Sequence, residues 1–215
     1  MALTTLYLIR HGETVTNQSG IVAGSYDAQL TEAGVKQGSL VAQHFRDIPL
    51  DAIYASDISR AIIMAREIAD YHNLPVRCDA RLREIHLGDW EGLHVNELRE
   101  RWPKEYQLWM EDQGHCICPN GESVQDVEKR VMAGIRAIIE NHPDQNVLCV
   151  THGLALKTVY INLTHTPLSK FRELKYVSNA SITRLEAEGN EIRLVSYGDD
   201  TYLSTDMVTH IFSEA

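Results

Sequence analysis

Two His-Gly dipeptides each close an apolar run. Leu6-Tyr7-Leu8-Ile9 leads into Arg10-His11-Gly12, and Val147-Leu148-Cys149-Val150-Thr151 leads into His152-Gly153. A third apolar stretch, "LDAIYASD", ends at Ser56 and Asp57 and is followed closely by Arg60. Cations and imidazoles gathered at strand ends suit an anion. Guanidinium forks give bidentate hydrogen bonds to phosphate oxygens, and imidazole nitrogens add more. A histidine nitrogen held in the correct tautomer is also a nucleophile towards phosphorus. Cleaving a phosphate ester then needs an acid for the departing alkoxide, a task suited to a carboxyl group. Taken singly, Arg10 reads as a surface cation, His11 and His152 as turn histidines, and Glu84 as a solvated carboxylate. Arg60 is the misfit, because the first turn of a helix favours anions over cations. An anionic ligand would account for it.

The elements that must position these groups follow from periodicity. Thr5–Ile9, "LDAIYASD" and "QNVLCVTHG" read as buried strands, and "VRCDARLREI" as an edge strand running into a loop. Helices are expected over "LTEAGVKQGSLVAQHF", with Thr31 as N-cap and Leu40, Val41 and Phe45 inward, and over "ISRAIIMAREIADYH", with Ile62, Ala65, Ile68 and Ala69 on one face. Leu93–Asp112 is helical with a break at Pro103, and His115–Gly121 is a loop. Ser123 opens a long helix carrying Val124, Val127, Val131, Ile135 and Ile138, and "LALKTVYINL" forms another. A terminal hairpin turns at Gly189-Asn190. Strands alternating with helices predict an α/β fold: a three-layer α/β/α sandwich with a mostly parallel sheet. Residues 1–215 read as one domain, with a helical insertion at about 91–121 over the end where ligands bind in open α/β sheets. The glycines after both histidines would let backbone approach a ligand, and the helices after Ser59 and His152 would aim amides at it.

Composition narrows the partners. A net charge of −10 over 215 residues argues against a nucleic-acid or anionic membrane surface. It leaves room for an anionic small molecule held by a few focused cations. No apolar run approaches the about 18 residues of a membrane helix, and no basic segment precedes the apolar run near the N-terminus. The scattered cysteines Cys78, Cys116, Cys118 and Cys149 suggest no disulfide framework. A cytoplasmic protein with reduced thiols is therefore expected. A homodimer would pair through the edge strands or the terminal hairpin, although nothing in the sequence demands one. The final "VTHIFSEA" is left open between docked and free.

The blocks "LYLIRHGET", "SDISRA", "LREIHLGDWEG", "PNGES" and "VTHG", in this order, resemble the histidine phosphatase superfamily, the phosphoglycerate mutase-like fold. The likeness spans Leu6 to about Ile182. It implies His11 as the nucleophile that becomes phosphohistidine, and Arg10, Asn17, Arg60 and His152 as the phosphate pocket. It implies Glu84 as the proton donor, which later activates water against the phosphohistidine. Gly12 and Gly153 then fit as close-approach backbone positions, Glu13 as a residue fixing the loop, and Ser123 as a helix cap. Neither metal nor cofactor is required by that mechanism. The role of Asn179-Ala180-Ser181 stays open.

Departures matter too. Ile21, Val22 and Ala23 stand where many relatives carry polar residues, which removes one contact near the phosphate. After Glu84 the chain has the compact "GDWEG" form and lacks the long basic and aromatic insertion with which cofactor-dependent phosphoglycerate mutases grip their substrate. Without that grip, water should intercept the phosphohistidine, so hydrolysis of a small phosphorylated metabolite is expected ahead of mutase activity. A catalytically silent module that binds phospho-ligands is the rival from another class. A metallohydrolase is a further rival, but His115-Cys116-Ile117-Cys118 fits no standard zinc spacing. Candidates for the specificity wall are His86, Trp90, His94, Trp102, Tyr106, Trp109 and His115, and Arg81 and Arg83 could attract a second anionic group.

Overall fold

Alternate residues of the central strands face opposite helical layers. The computed structural model describes residues 3–209. In β1 (Leu3–Arg10), Leu6 and Leu8 are buried in one apolar cluster and Ile9 in another. In β4 (Asn146–Thr151), Val147 and Cys149 join the first cluster and Leu148 and Val150 the second. A period of two on strands buried on both sides builds such a sandwich. The second cluster is closed by α2 (Glu32–Phe45) and α3 (Ser59–His72), through residues such as Val41, Phe45, Met64 and Ile68. On the other side, α6 (Val124–Asn141) and α7 (Gly153–Thr164) supply Val127, Val131, Ile135, Leu154 and Val159.

β2 (Ala52–Ala55) and β3 (Val76–Cys78) complete the parallel part of the sheet, and β5 (Ile182–Glu188) and β6 (Glu191–Asp199) form the antiparallel hairpin. The order is β3-β2-β4-β1-β5-β6, with parallel pairing from β3 to β1 and antiparallel pairing beyond. The expected α/β sandwich with a mostly parallel sheet is the architecture observed. Because β4 lies between β2 and β1, Arg10 pairs with Thr151 and Ala55 with Val150. Three carboxyl ends thus lie side by side, the place where an open α/β sheet holds its ligand.

Local signals hold at most boundaries. Thr31 accepts a hydrogen bond from Gly34 N and caps α2. Pro103 separates α4 (Val95–Arg101) from α5 (Pro103–Glu111), where its missing N–H is no loss at the first helical position. The buried face of α3 is Ala61, Met64, Ala65, Ile68 and Ala69, so Ile62, expected inward, lies at its margin. A five-residue helix, α1 (Val15–Ser19), was not anticipated and is fastened by a Thr14–Asn17 capping box. No helix among the described residues is long and apolar enough to cross a membrane, and the four cysteines are free. Of the C-terminal "VTHIFSEA", Val208 and Thr209 fall within the described residues and 210–215 lie outside them.

Candidate active site

Arg10, His11, Arg60 and His152 converge and are nearly inaccessible, at 4%, 4%, 2% and 0% exposure. The rings of His11 and His152 lie 5.0 Å apart between centroids, inclined by 61°. Arg60 knits them together. Its Nε donates to His11 Nε2 at 3.2 Å, and its Nη2 donates to His152 Nδ1 at 3.2 Å. The same guanidinium is anchored to the carbonyls of Gly24 at 2.8 Å and Tyr26 at 2.7 Å.

The network sets both tautomers. His11 Nδ1 donates to its neighbour's carbonyl, Gly12 O, at 2.7 Å, which leaves the lone pair on Nε2. His152 accepts on Nδ1, so its proton sits on Nε2. That Nε2 is buried without a partner, and so is Arg10 Nε, while Arg10 Nη1 is tied to Val177 O at 2.6 Å. Orphaned buried donors are costly and rare. Two of them beside an unprotonated imidazole nitrogen make a cradle for oxyanions.

Burial pushes both histidines well below the ordinary histidine range, and Arg60 with Arg10 pushes His11 the same way. Arg10 is itself lowered by burial to about 10, and stays charged at neutral pH. The folded chain therefore keeps two neutral imidazoles while the unfolded chain takes up protons near pH 6.5. The unfolded state binds more protons below that value, so stability is lost as the pH falls through it. Melting temperatures measured at pH 7.5 and pH 5 should show this loss, and a His11→Ala/His152→Ala double variant should show a shallower one. An unchanged slope in the double variant would sink the reading.

Glu84 lies at the same end of the sheet, in the segment after a single helical turn at Ala80–Leu82. Its Oε1 accepts from Ile85 N at 2.9 Å and its Oε2 from Leu154 N, in the first turn of α7, at 3.1 Å. The group facing the α7 terminus is thus Glu84's own carboxyl, through Leu154. Arg130 on α6 was missed by sequence reasoning. It donates to the carbonyls of Arg81, Arg83 and Glu84 at 3.0, 2.7 and 2.8 Å, and is held by Glu122. Arg130 is a positioning residue for the Glu84 segment. Asn179 acts likewise on the opposite flank, donating Nδ2 to His11 O at 2.9 Å.

Several expectations change in detail. A side chain at Gly12 would strike the backbone of Gly34, so the close approach there is between two segments of the chain. At Gly153 it would meet Tyr176 Cδ1 at 2.9 Å and Arg10 Nε at 3.2 Å. Asn17 is drawn to the N-terminus of α1, where Oδ1 accepts from Thr14 N and Oγ1, both at 2.9 Å, a cap that does not use its Nδ2. Glu13 fixes the loop through Thr31 and Gln18. Arg81 and Arg83 are taken up by ion pairs with Asp79 and Asp57, both at 2.6 Å. Of the proposed wall, Trp90, Tyr106 and Trp109 line a cleft of about 780 Å³ beside the site. Trp102 packs under Arg101, His94 caps α4, and His86 and His115 pair with Glu91 and Asp112. Among the described residues, no cluster of three or more His, Cys, Asp or Glu is arranged to hold a metal ion.

Residues 6–200 match the model of the histidine phosphatase superfamily, branch 1. Phosphoserine phosphatase 1 of Hydrogenobacter thermophilus is 35% identical over 169 residues, 79% of this chain and 80% of its own. The probable phosphoglycerate mutase GpmB of Yersinia pestis is 34% identical over 184 residues, 84% of each chain. The solved structure of Bacillus stearothermophilus YhfR superposes with a TM-score of 0.88 at 34% identity, covering 93% of this chain and 98% of that one. The chain belongs to the histidine phosphatase superfamily, and its activity is that of a phosphatase, a phosphoric monoester hydrolase.

Proposed function

We propose that the protein hydrolyses a small phosphorylated metabolite through a phosphohistidine formed on His11 Nε2. The observation that carries this reading is the pair of orphaned donors, Arg10 Nε and His152 Nε2, beside that nitrogen. Phosphate oxygens take these donors together with the N–H groups of Arg60 and Asn17 Nδ2, and Gly153 lets the backbone close on Arg10. Once Arg60 turns its hydrogen bond onto the phosphate, the lone pair of His11 Nε2 is released for attack. Charge building on the equatorial oxygens meets preorganised cations in a dry site. Glu84 gives its proton to the leaving alkoxide, then takes one from the water that attacks the phosphohistidine.

Hydrolysis is favoured over the mutase reading by what surrounds Glu84. The segment after it is the compact form, and Arg81 and Arg83 are committed to their own carboxylates. The free, scattered cysteines suit a cytoplasmic site of action, the mechanism calls for neither metal nor cofactor, and β3 and β6 offer edges for a homodimer. The test is release of phosphate from a panel of monophosphates, including phosphoserine, sugar phosphates and p-nitrophenyl phosphate, with and without chelator. Activity that survives chelator and is abolished by vanadate, a mimic of five-coordinate phosphorus, is the expected result. Failure on every ester would favour the binding module, and 3- to 2-phosphoglycerate conversion dependent on bisphosphoglycerate would favour the mutase.

A further inference from the structure

The floor of the 780 Å³ cleft contains a group that this mechanism leaves unused. Lys157 on α7 is 1% exposed, yet no carboxylate pairs with it among the described residues. Its Nζ donates to Gln113 Oε1 at 3.2 Å and lies 4.2 Å and 4.4 Å from the ring centroids of Phe171 and Tyr176. An ammonium has three N–H donors, so two are left without a hydrogen-bond acceptor. Burial, with Arg172 adding to it, pushes Lys157 down to about 7 against the opposing pull of Glu84, as expected of a buried amine with no carboxylate in direct contact.

The position of Lys157 relates it to the chemistry. Leu154, three residues earlier on α7 and so on the same helical face, donates its N–H to Glu84 Oε2. Lys157 therefore stands one turn along α7 from the proposed proton donor, on the cleft side. Gln113 also donates Nε2 to the Tyr176 hydroxyl at 3.3 Å, and Tyr176 packs over Gly153 next to Arg10. The phosphate pocket and the cleft floor are thus joined through one aromatic side chain. Arg172 and Lys175 line the same cleft; of its two acids, Glu173 is paired with Lys170, and Asp200 accepts from the Ser178 hydroxyl and keeps its charge. With Lys157 protonated, the cleft's three basic groups exceed its two acids by one, a locally positive balance in a chain of net charge −10.

Resting on the phosphatase reading, we propose that Lys157, oriented by Gln113, is a specificity-determining residue that binds a carboxylate on the alcohol portion of the substrate. The preferred substrates are then phosphate esters of hydroxy acids. The carboxylate supplies the missing counter-ion, and Trp109, Met110 and Leu98 give the rest of the alcohol an apolar wall.

The test uses esters matched except for the carboxylate: 3-phosphoglycerate against glycerol 3-phosphate, and phosphoserine against phosphoethanolamine. The wild-type kcat/KM ratio within each pair should be about tenfold or more in favour of the carboxylate, the scale of a charge-assisted hydrogen bond. Lys157→Met should bring the ratio close to one. Gln113→Glu, which provides an internal carboxylate, should do the same. Each ratio is internal to one preparation, so partial unfolding does not mimic the result. A wild-type ratio near one, or a ratio that survives both substitutions, overturns the proposal. Turnover of p-nitrophenyl phosphate without discrimination within the pairs would condemn the subsite alone. If no ester is turned over, the phosphatase reading fails instead, and the same ratios measured as Kd values decide the subsite.

Discussion

His11→Ala is expected to lower kcat by at least roughly 10⁴-fold, the scale on which loss of a catalytic nucleophile is felt, while the protein still folds and still binds phosphate. The expectation of folding comes from the geometry. The contacts that hold this turn run through the backbone: His11 N donates to Thr151 O at 3.0 Å, and His11 O accepts from Asn179 Nδ2. Alanine keeps both. It removes the acceptor of the Arg60 Nε bond, but Arg60 stays fixed by Gly24, Tyr26 and His152. Arg10, Arg60 and His152 therefore persist as a phosphate cradle, and inorganic phosphate should still raise the melting temperature of the variant. Incubation of the wild type with labelled ester followed by rapid quenching should trap acid-labile label on the protein, and His11→Ala should trap none. Substantial turnover or trapped label in the variant would remove His11 from the role of nucleophile.

The sequence made some parts of this arrangement legible because the signals for them are local. Apolar runs marked β1, β2 and β4, and the polar residues at their ends marked the ligand side of the sheet. Thr31, Pro103 and Gly189-Asn190 marked boundaries through cap, first-turn and hairpin chemistry. The convergence of Arg10, Arg60 and His152 depended on β4 lying between β1 and β2, and the strand order is not written in any one segment. Long-range partners were illegible for the same reason. Arg130 reads as a solvated helix residue until α6 packs against the segment 46–49 residues earlier and clamps its carbonyls. Arg83 reads as a free cation until β2 delivers Asp57, although Arg81 with Asp79 two residues before it carried a local hint. Lys157 continues an apolar helix pattern, and nothing nearby in sequence announces that Gln113, Phe171 and Tyr176 close over it. A Lys in such a run was the available clue, since buried cations seldom occur without a partner.

Glu84→Gln is expected to separate the two chemical steps. With alkyl phosphates, kcat should fall roughly 10²–10⁴-fold, the range for loss of a general acid. With p-nitrophenyl phosphate, whose leaving group departs without a proton, phosphorylation of His11 should proceed with little loss. The second step has no such escape, because water still needs a base to attack the phosphohistidine. The variant should therefore give a burst of p-nitrophenol followed by slow turnover, with phosphoenzyme accumulating. A structural effect must be distinguished from this. Both oxygens of Glu84 accept backbone N–H bonds, from Ile85 and Leu154, and the carboxamide can accept only at its oxygen. Its NH₂ must then face one of those N–H donors, which disturbs the start of α7 and the neighbouring His152. A disturbance of that kind would slow phosphorylation by alkyl and aryl esters alike and produce no burst. The proton-transfer role predicts a loss graded by the leaving group's need for a proton, and phosphoenzyme that builds up only with the ester that needs none. Equal losses on both esters without a burst would assign Glu84 to holding α7 in place, and the proton donor would have to be sought elsewhere in the site.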